Sequence, residues 1–87
     1  MYRVKFTPDA LKQLEQLDKS ISQQALKKLR WMAENFDQTT HLPLTGKLKG
    51  VFKLRMSDYR ALYTFEKTEM TIIVHAIKHR REIYKNK

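Results

Sequence analysis

The chain has 87 residues, with 18 lysines and arginines against 9 acidic residues, and its formal net charge is +9. This length predicts a single domain over residues 1–87 with one modest core. The lack of cysteine excludes disulfides, thiolate catalysis and cysteine-based zinc sites. The three histidines have no metal-ligand spacing, so we expect neither a metal nor another cofactor.

The N-terminal residues alternate too quickly between apolar and polar types to form the apolar region of a secretion signal. No later segment approaches the length that a membrane-spanning helix needs. We therefore expect a cytoplasmic protein without a membrane partner.

The excess positive charge is concentrated in the C-terminal half of the chain. Residues 45–60 and residues 78–87 each hold five basic residues against one acid. Because a general compositional bias would spread the charge evenly, this placement indicates a polyanion as the partner.

In chain order, the first predicted element is a short strand over residues 2–6, where apolar and basic residues alternate. Thr7 is placed to cap a following helix, and Pro8 suits its first position. This helix is predicted to run to about Asp18. It is predicted to bury Ala10, Leu11, Leu14 and Leu17.

A second, longer helix is predicted from the capping box Ser20-Ile21-Ser22-Gln23. Its apolar residues recur at steps of three and four: Ile21, Ala25, Leu29, Met32 and Phe36. Since few residues separate the two helices, they are predicted to form an antiparallel αα hairpin. Trp31 on this helix is interpreted as a core residue or as part of a docking surface for a partner.

After a loop over residues 37–50, three strands are predicted at about residues 52–56, 59–65 and 70–77. If Ser57 and Asp58 form a hairpin turn, Arg55 lies opposite Arg60 on the neighbouring strand. Facing like charges destabilise a sheet, and a bound phosphate would explain them. The predicted fold is α+β: one β-α-α-β-β-β domain with the helical hairpin packed on a mostly antiparallel four-stranded sheet.

This order of elements and three segments resemble the RelE toxins of bacterial and archaeal toxin–antitoxin pairs. The segments are LKGVFKLR at residues 48–55, DYRALY at 58–63 and HRREIY at 79–84. The resemblance covers essentially the whole chain. It implies a metal-independent endoribonuclease that cuts messenger RNA in the ribosomal A site, inhibits translation, and is neutralised by an acidic RelB-like antitoxin.

The resemblance also implies which side chains act in catalysis. They are Lys53, Arg55, Arg60, Arg80 and Tyr84. An arginine at position 55, where the best-known relative has lysine, weakens a proton-transfer role because a guanidinium stays protonated. His79 is added as a candidate acid or base because of its ordinary pKa of about 6.5. Binding of RNA or the ribosome is assigned to Lys47, Lys49, Arg81 and Lys85.

The remaining two histidines are given no role in the reaction. His75, within an apolar strand, is interpreted as structural, and His41 is placed in a loop without a visible partner. Two alternatives to RNA cleavage stay open. ParE-type toxins share the architecture and inhibit DNA gyrase, and a non-enzymatic nucleic-acid-binding module would bind RNA in a salt-dependent manner and leave it intact.

Overall fold

The computed structural model describes residues 1–44 and 50–84. Its secondary structure, in chain order, is β1 (Arg3–Phe6), α1 (Pro8–Gln16), α2 (Lys19–Glu34), a 3₁₀ turn (Phe36–Gln38), β2 (Leu42–Pro43), β3 (Phe52–Met56), β4 (Tyr59–Glu66), β5 (Thr71–His79) and α3 (Arg80–Tyr84). None of the helices in this part of the chain is long and apolar enough to cross a membrane.

The strands form one sheet in the order β1-β5-β4-β3-β2. β1 is parallel to β5, and the other neighbouring strands are antiparallel. The α+β fold and the mostly antiparallel sheet are therefore confirmed. The sheet has five strands rather than the predicted four, because two loop residues pair with β3 as β2. The short helix α3 is a further element that was not predicted from the sequence.

Thr7 caps α1 as predicted. Its hydroxyl accepts a hydrogen bond from the Ala10 N–H at 3.2 Å and donates one to the His75 carbonyl at 3.2 Å. The helix ends at Gln16, before the predicted boundary, because Leu17 is extended at ψ 154°. Leu11 is 45% exposed, so its predicted burial is wrong. It lies one residue, about 100° of helical rotation, from the buried Ala10.

The predicted capping box on α2 is also wrong. The helix begins at Lys19, and its N-cap is Asp18, which makes no hydrogen bond through its side chain. The Asp18 carbonyl accepts from the N–H groups of Ile21 and Ser22 instead. Since the N-cap lies two residues earlier than expected, Ser20 lies inside the first turn of the helix and cannot act as the cap. The apolar face of α2 follows the predicted spacing, with Ala25, Leu29 and Met32 buried.

The core lies between the two long helices and one face of the sheet, which we call the helix face. The sheet residues in the core include Met56, Ala61, Tyr63, Ile72 and Val74. Since side chains alternate along a strand, the residues between them lie on the opposite face, which we call the outer face. Most of the basic residues of β3, β4 and β5 lie on that outer face.

His41 has hydrogen-bond partners, so the prediction that it lies in a loop without a visible partner is wrong. Its Nδ1 lies 2.6 Å from the Tyr63 hydroxyl and its Nε2 lies 3.1 Å from the Phe36 carbonyl. Its ring also contacts Phe52 and Phe65. Because the Phe36 carbonyl can only accept, Nε2 carries the ring proton and Nδ1 is left to accept from the Tyr63 hydroxyl, whose pKa burial raises from 10.0 to about 12. His41 therefore fixes the start of β2 to the core.

His75 lies at an irregularity in β5. Leu62 pairs with Ala76 and Tyr63 pairs with Val74, so His75 has no ladder partner. Its Nε2 lies 2.8 Å from the Thr64 hydroxyl. These contacts fit the structural role that the sequence reading assigned to it.

Candidate functional site on the outer face of the sheet

The two-residue turn at Ser57-Asp58 joins β3 to β4 with the predicted register. Met56 pairs with Tyr59, and Arg55 pairs with Arg60. Ser57 has a positive φ of 55°, which a tight hairpin turn requires. The alternation of apolar and basic residues on both strands leaves no other register that buries the apolar set.

A third cation continues this pair onto the next strand. β5 places Lys78 opposite Arg60, so Arg55, Arg60 and Lys78 form a line across three strands on the outer face. We call these three residues the cationic row. Lys53, two residues before Arg55 on the same strand, lies on the same face.

The cationic row has no carboxylate close to it along β4. The next acidic residue on the outer face of that strand is Glu66, which is six residues from Arg60. At about 3.3 Å per residue this separation is roughly 20 Å. β4 itself therefore places no carboxylate beside the row, and the nearest acidic residue in sequence is Asp58 in the turn.

Arg60 has a structural role that the sequence reading did not foresee. Its side chain is only 7% exposed. One guanidinium nitrogen, Nη1, donates to the Ser57 carbonyl at 3.1 Å and to the Tyr59 carbonyl at 2.9 Å. These two hydrogen bonds stabilise the hairpin, so they explain an arginine at this position even without a bound phosphate.

The turn is tied to two further elements. The backbone N–H of Arg80, the first residue of α3, donates to the Asp58 carbonyl at 2.7 Å. From the other side, the Ser57 hydroxyl donates to the side-chain oxygen of Gln24 on α2 at 3.1 Å. Arg60 and Arg80, distant in sequence, therefore lie at the same end of the sheet.

The residues predicted for catalysis differ in exposure. Arg55 and Arg80 are exposed, and Lys53 is half-buried. Arg81, predicted to bind RNA or the ribosome, is exposed within α3. The structure therefore presents three arginines to solvent at the end of the sheet where Arg60 is buried.

His79 does not join the cationic row. It pairs with Tyr59, whose ring packs against the core, so it lies on the helix face at the end of β5. The two rings meet edge to face with centroids 5.2 Å apart. The His79 Nδ1 accepts from the Arg81 N–H at 3.2 Å, and the Glu82 carboxylate accepts from the His79 N–H at 3.0 Å. These bonds give His79 a role in starting α3.

Four predicted site positions fall outside the described residues. They are Lys47, Lys49 and Lys85, together with the side chain of Tyr84. Lys78, in contrast, lies within the described residues and is half-buried. It was not among the predicted site residues. Alternation within a single strand could not reveal it, because Lys78 meets Arg60 only through the register between β4 and β5.

A groove on the helix side of the molecule lies between α2 and β3. Its lining includes Gln24, Lys28, Trp31 and Leu54, and its volume is about 740 Å³. Trp31 is 55% exposed, which excludes the core role considered for it. The Lys28 ammonium donates to the Arg55 carbonyl at 3.0 Å, so one wall of the groove supports the strand that carries Arg55.

Known proteins resemble this chain in both sequence and fold. Residues 4–84 match the sequence family described as ParE toxin of type II toxin-antitoxin system, parDE. An Escherichia coli protein described as RelE-like toxin is 38% identical over 90 residues, covering 95% of this chain and 90% of the relative.

Two solved structures share the fold over nearly the whole chain. A chain of the toxin–antitoxin complex RelBE2 from Mycobacterium tuberculosis superposes with a TM-score of 0.79 at 26% identity, covering 91% of each chain. The isolated E. coli RelE toxin superposes with a TM-score of 0.76 at 25% identity, covering 98% of this chain and 93% of that one. The chain therefore belongs to the RelE/ParE superfamily and is the toxin of a type II toxin–antitoxin system.

Proposed function

We propose that this toxin is an endoribonuclease that cleaves messenger RNA in the ribosomal A site. The observation that carries the proposal is the cationic row, in which Arg55, Arg60 and Lys78 occupy one line of the sheet register on the outer face. Like charges in this arrangement oppose folding unless a polyanion binds there. An RNA backbone supplies that negative charge at regular intervals.

RNA cleavage needs little from the protein besides well-placed cations. The 2′-hydroxyl of the nucleotide is the nucleophile, so the enzyme has to remove its proton, stabilise the charge on the phosphorane and protonate the leaving 5′ oxygen. The 2′ oxygen forms a bond to phosphorus as the bond between phosphorus and the 5′ oxygen breaks, which leaves a 2′,3′-cyclic phosphate and a free 5′ hydroxyl without any redox step. Arginine side chains are suited to the second task, because they hold phosphate oxygens with two parallel hydrogen bonds and remain charged.

We divide these tasks among the residues according to their exposure and contacts. Arg55 and Arg80 are exposed at the same end of the sheet and would contact phosphate oxygens directly. Arg60 is committed through Nη1 to two carbonyl groups, so it would contribute positive charge and hold the hairpin in place. Lys53 and Tyr84 remain the candidates for proton transfer. His79 lies on the helix face, away from the cationic row. It is therefore the least supported of the residues predicted for catalysis.

We propose an acidic RelB-like antitoxin as the partner that silences this site. A segment rich in carboxylates would neutralise the cationic row and exclude RNA from the outer face. The solved RelBE2 relative is itself part of a toxin–antitoxin complex. An antitoxin that left the outer face accessible to RNA would contradict this part of the proposal.

Inhibition of DNA gyrase is a second candidate function. It is favoured by one observation, namely that the sequence family matching residues 4–84 is described as ParE toxin. A gyrase inhibitor would leave RNA uncut despite the cationic row. Its toxicity would be accompanied by DNA damage. The two functions therefore predict different damage in the same cells.

The test is a brief induction of the toxin in bacterial cells, followed by mapping of new messenger 5′ ends. Ribosome-dependent cleavage predicts ends that recur every three nucleotides within coding regions. Arg80→Ala is expected to abolish these ends and the growth inhibition, whereas the matched variant Lys12→Ala, on the exposed side of α1, is expected to preserve both. Intact messenger together with gyrase-linked DNA breaks would refute the proposal and support the second candidate.

A further inference from the structure

Lys78 occupies a position that neither the sequence reading nor the resemblance to RelE toxins assigns to the site. It is the β5 residue opposite Arg60, two pairs away from the irregularity at Leu62 and Tyr63, where the ladder is regular. Ladder partners in an antiparallel pair have their Cβ atoms about 4.5–5.5 Å apart on the same face. Lys78 and Arg55 are thus the two ladder partners of Arg60 on the outer face, one on each side.

Folding alone gives no reason for a lysine at this position. The guanidinium of Arg60 already has its carbonyl acceptors, and a third cation beside it adds repulsion without adding a hydrogen bond to the hairpin. A neutral side chain of similar length would remove the repulsion and cover the same surface. The Lys78 side chain is half-buried, so its ammonium has few places to lie and stays on the outer face.

We propose that Lys78 is a phosphate-binding residue of the RNA site, which extends the site from β3 and β4 onto β5. Its ammonium would contact a phosphate oxygen of the single-stranded messenger, next to the phosphates held by Arg55 and Arg80. This inference rests on the proposed function. It makes the bound RNA run across the strands of the sheet, because the cations that hold it are aligned across three strands rather than along one.

The test compares Lys78→Gln with the exposed control Lys12→Gln in the purified toxin. Binding of a fluorescently labelled single-stranded RNA oligonucleotide is measured by anisotropy at several NaCl concentrations. Each phosphate contact contributes about 0.7 to the slope of log affinity against log salt. Lys78→Gln is therefore expected to reduce the slope by about 0.7 and the low-salt affinity about tenfold. Lys78→Arg is expected to restore both values, and Lys12→Gln to change neither.

Two further measurements separate binding from folding and from the proposed function. Because it relieves repulsion, Lys78→Gln is expected to raise the melting temperature by a few degrees, on the order of 1–8 °C. It is also expected to slow cleavage of a messenger programmed into stalled ribosomes. A stabilised protein with weaker RNA binding and slower cleavage is a result that a merely structural lysine would not give.

Each other outcome overturns a specific statement. If the unchanged toxin cleaves messenger and Lys78→Gln cleaves and binds RNA like Lys12→Gln, the role of Lys78 is wrong and the proposed function stands. If Lys78→Gln loses activity but melts at a lower temperature, Lys78 is structural. If the unchanged toxin neither binds the oligonucleotide nor cleaves messenger, the proposed function fails, and the role of Lys78 fails with it.

Discussion

Replacing Arg60 with alanine tests whether the hairpin depends on this buried arginine. The change removes two hydrogen bonds from a charged donor, at 3.1 and 2.9 Å, each worth about 1.5–3 kcal/mol when fully desolvated. Water can replace part of this, because Ser57 is exposed. The change also relieves two like-charge contacts of about 0.2–1 kcal/mol each. The net loss in the free energy of unfolding is expected to be about 1–2 kcal/mol.

The assay is urea unfolding followed by far-ultraviolet circular dichroism, which reports the sheet and helices directly. Arg55→Ala is the matched control, because Arg55 is exposed and its removal relieves one of the same repulsions. We expect this control to be as stable as the unchanged protein or slightly more stable. An Arg60→Ala variant that unfolds at the same or a higher urea concentration would refute the reasoning, since the two carbonyl contacts would then contribute nothing.

Two other predictions concern the fold. Tyr63 has a pKa of about 12 in the folded protein and 10.0 as its ordinary value, so its stabilising contribution is present below pH 10 and is lost as the pH rises through 12. Urea unfolding as a function of pH should show a loss of about 2–3 kcal/mol over this range that Tyr63→Phe lacks, and equal pH profiles would contradict the assignment. Thr7→Ala should lower the free energy of unfolding by about 1 kcal/mol through loss of the α1 cap, whereas the same change at the exposed turn residue Thr68 should have little effect. Equal losses from the two threonine variants would show that the cap does not stabilise α1.

The hairpin was predictable because two local signals agree. Alternating apolar and basic residues on β3 and β4 define the faces, and the two-residue turn at Ser57-Asp58 then permits only one register. The α1 cap was predictable for the same reason, because Thr7 and Pro8 both favour the same helix start. Where local signals are consistent, the sequence alone determines the geometry.

The errors arose where local signals competed or where a contact is distant in sequence. Two nearby residues, Asp18 and Ser20, both suit an N-cap, and the chain uses Asp18 through its backbone carbonyl. His41 contacts Tyr63, which is 22 residues away, so no local pattern could reveal the pairing. The short helix α3 depends on a bond between Arg80 and the turn at Asp58, which is also a long-range contact.

The candidate site was predictable in part. The pairing of Arg55 with Arg60 follows from the hairpin, whereas Lys78 joins them only through the register between β4 and β5. That register contains an irregularity at Leu62 and Tyr63, which a count along the sequence does not reveal. The burial of Arg60 and its bonds to carbonyl groups were also inaccessible, because they depend on how the side chain folds back over the turn.

The most direct test of the central claim uses purified ribosomes stalled on a defined messenger, with the toxin added and the messenger ends mapped by primer extension. The account predicts a cut within the A-site codon, and it predicts that Arg55→Gln reduces the rate of cutting without lowering the melting temperature. Intact messenger at toxin concentrations that block purified gyrase would contradict the account, because the toxin would then act on gyrase and not on RNA.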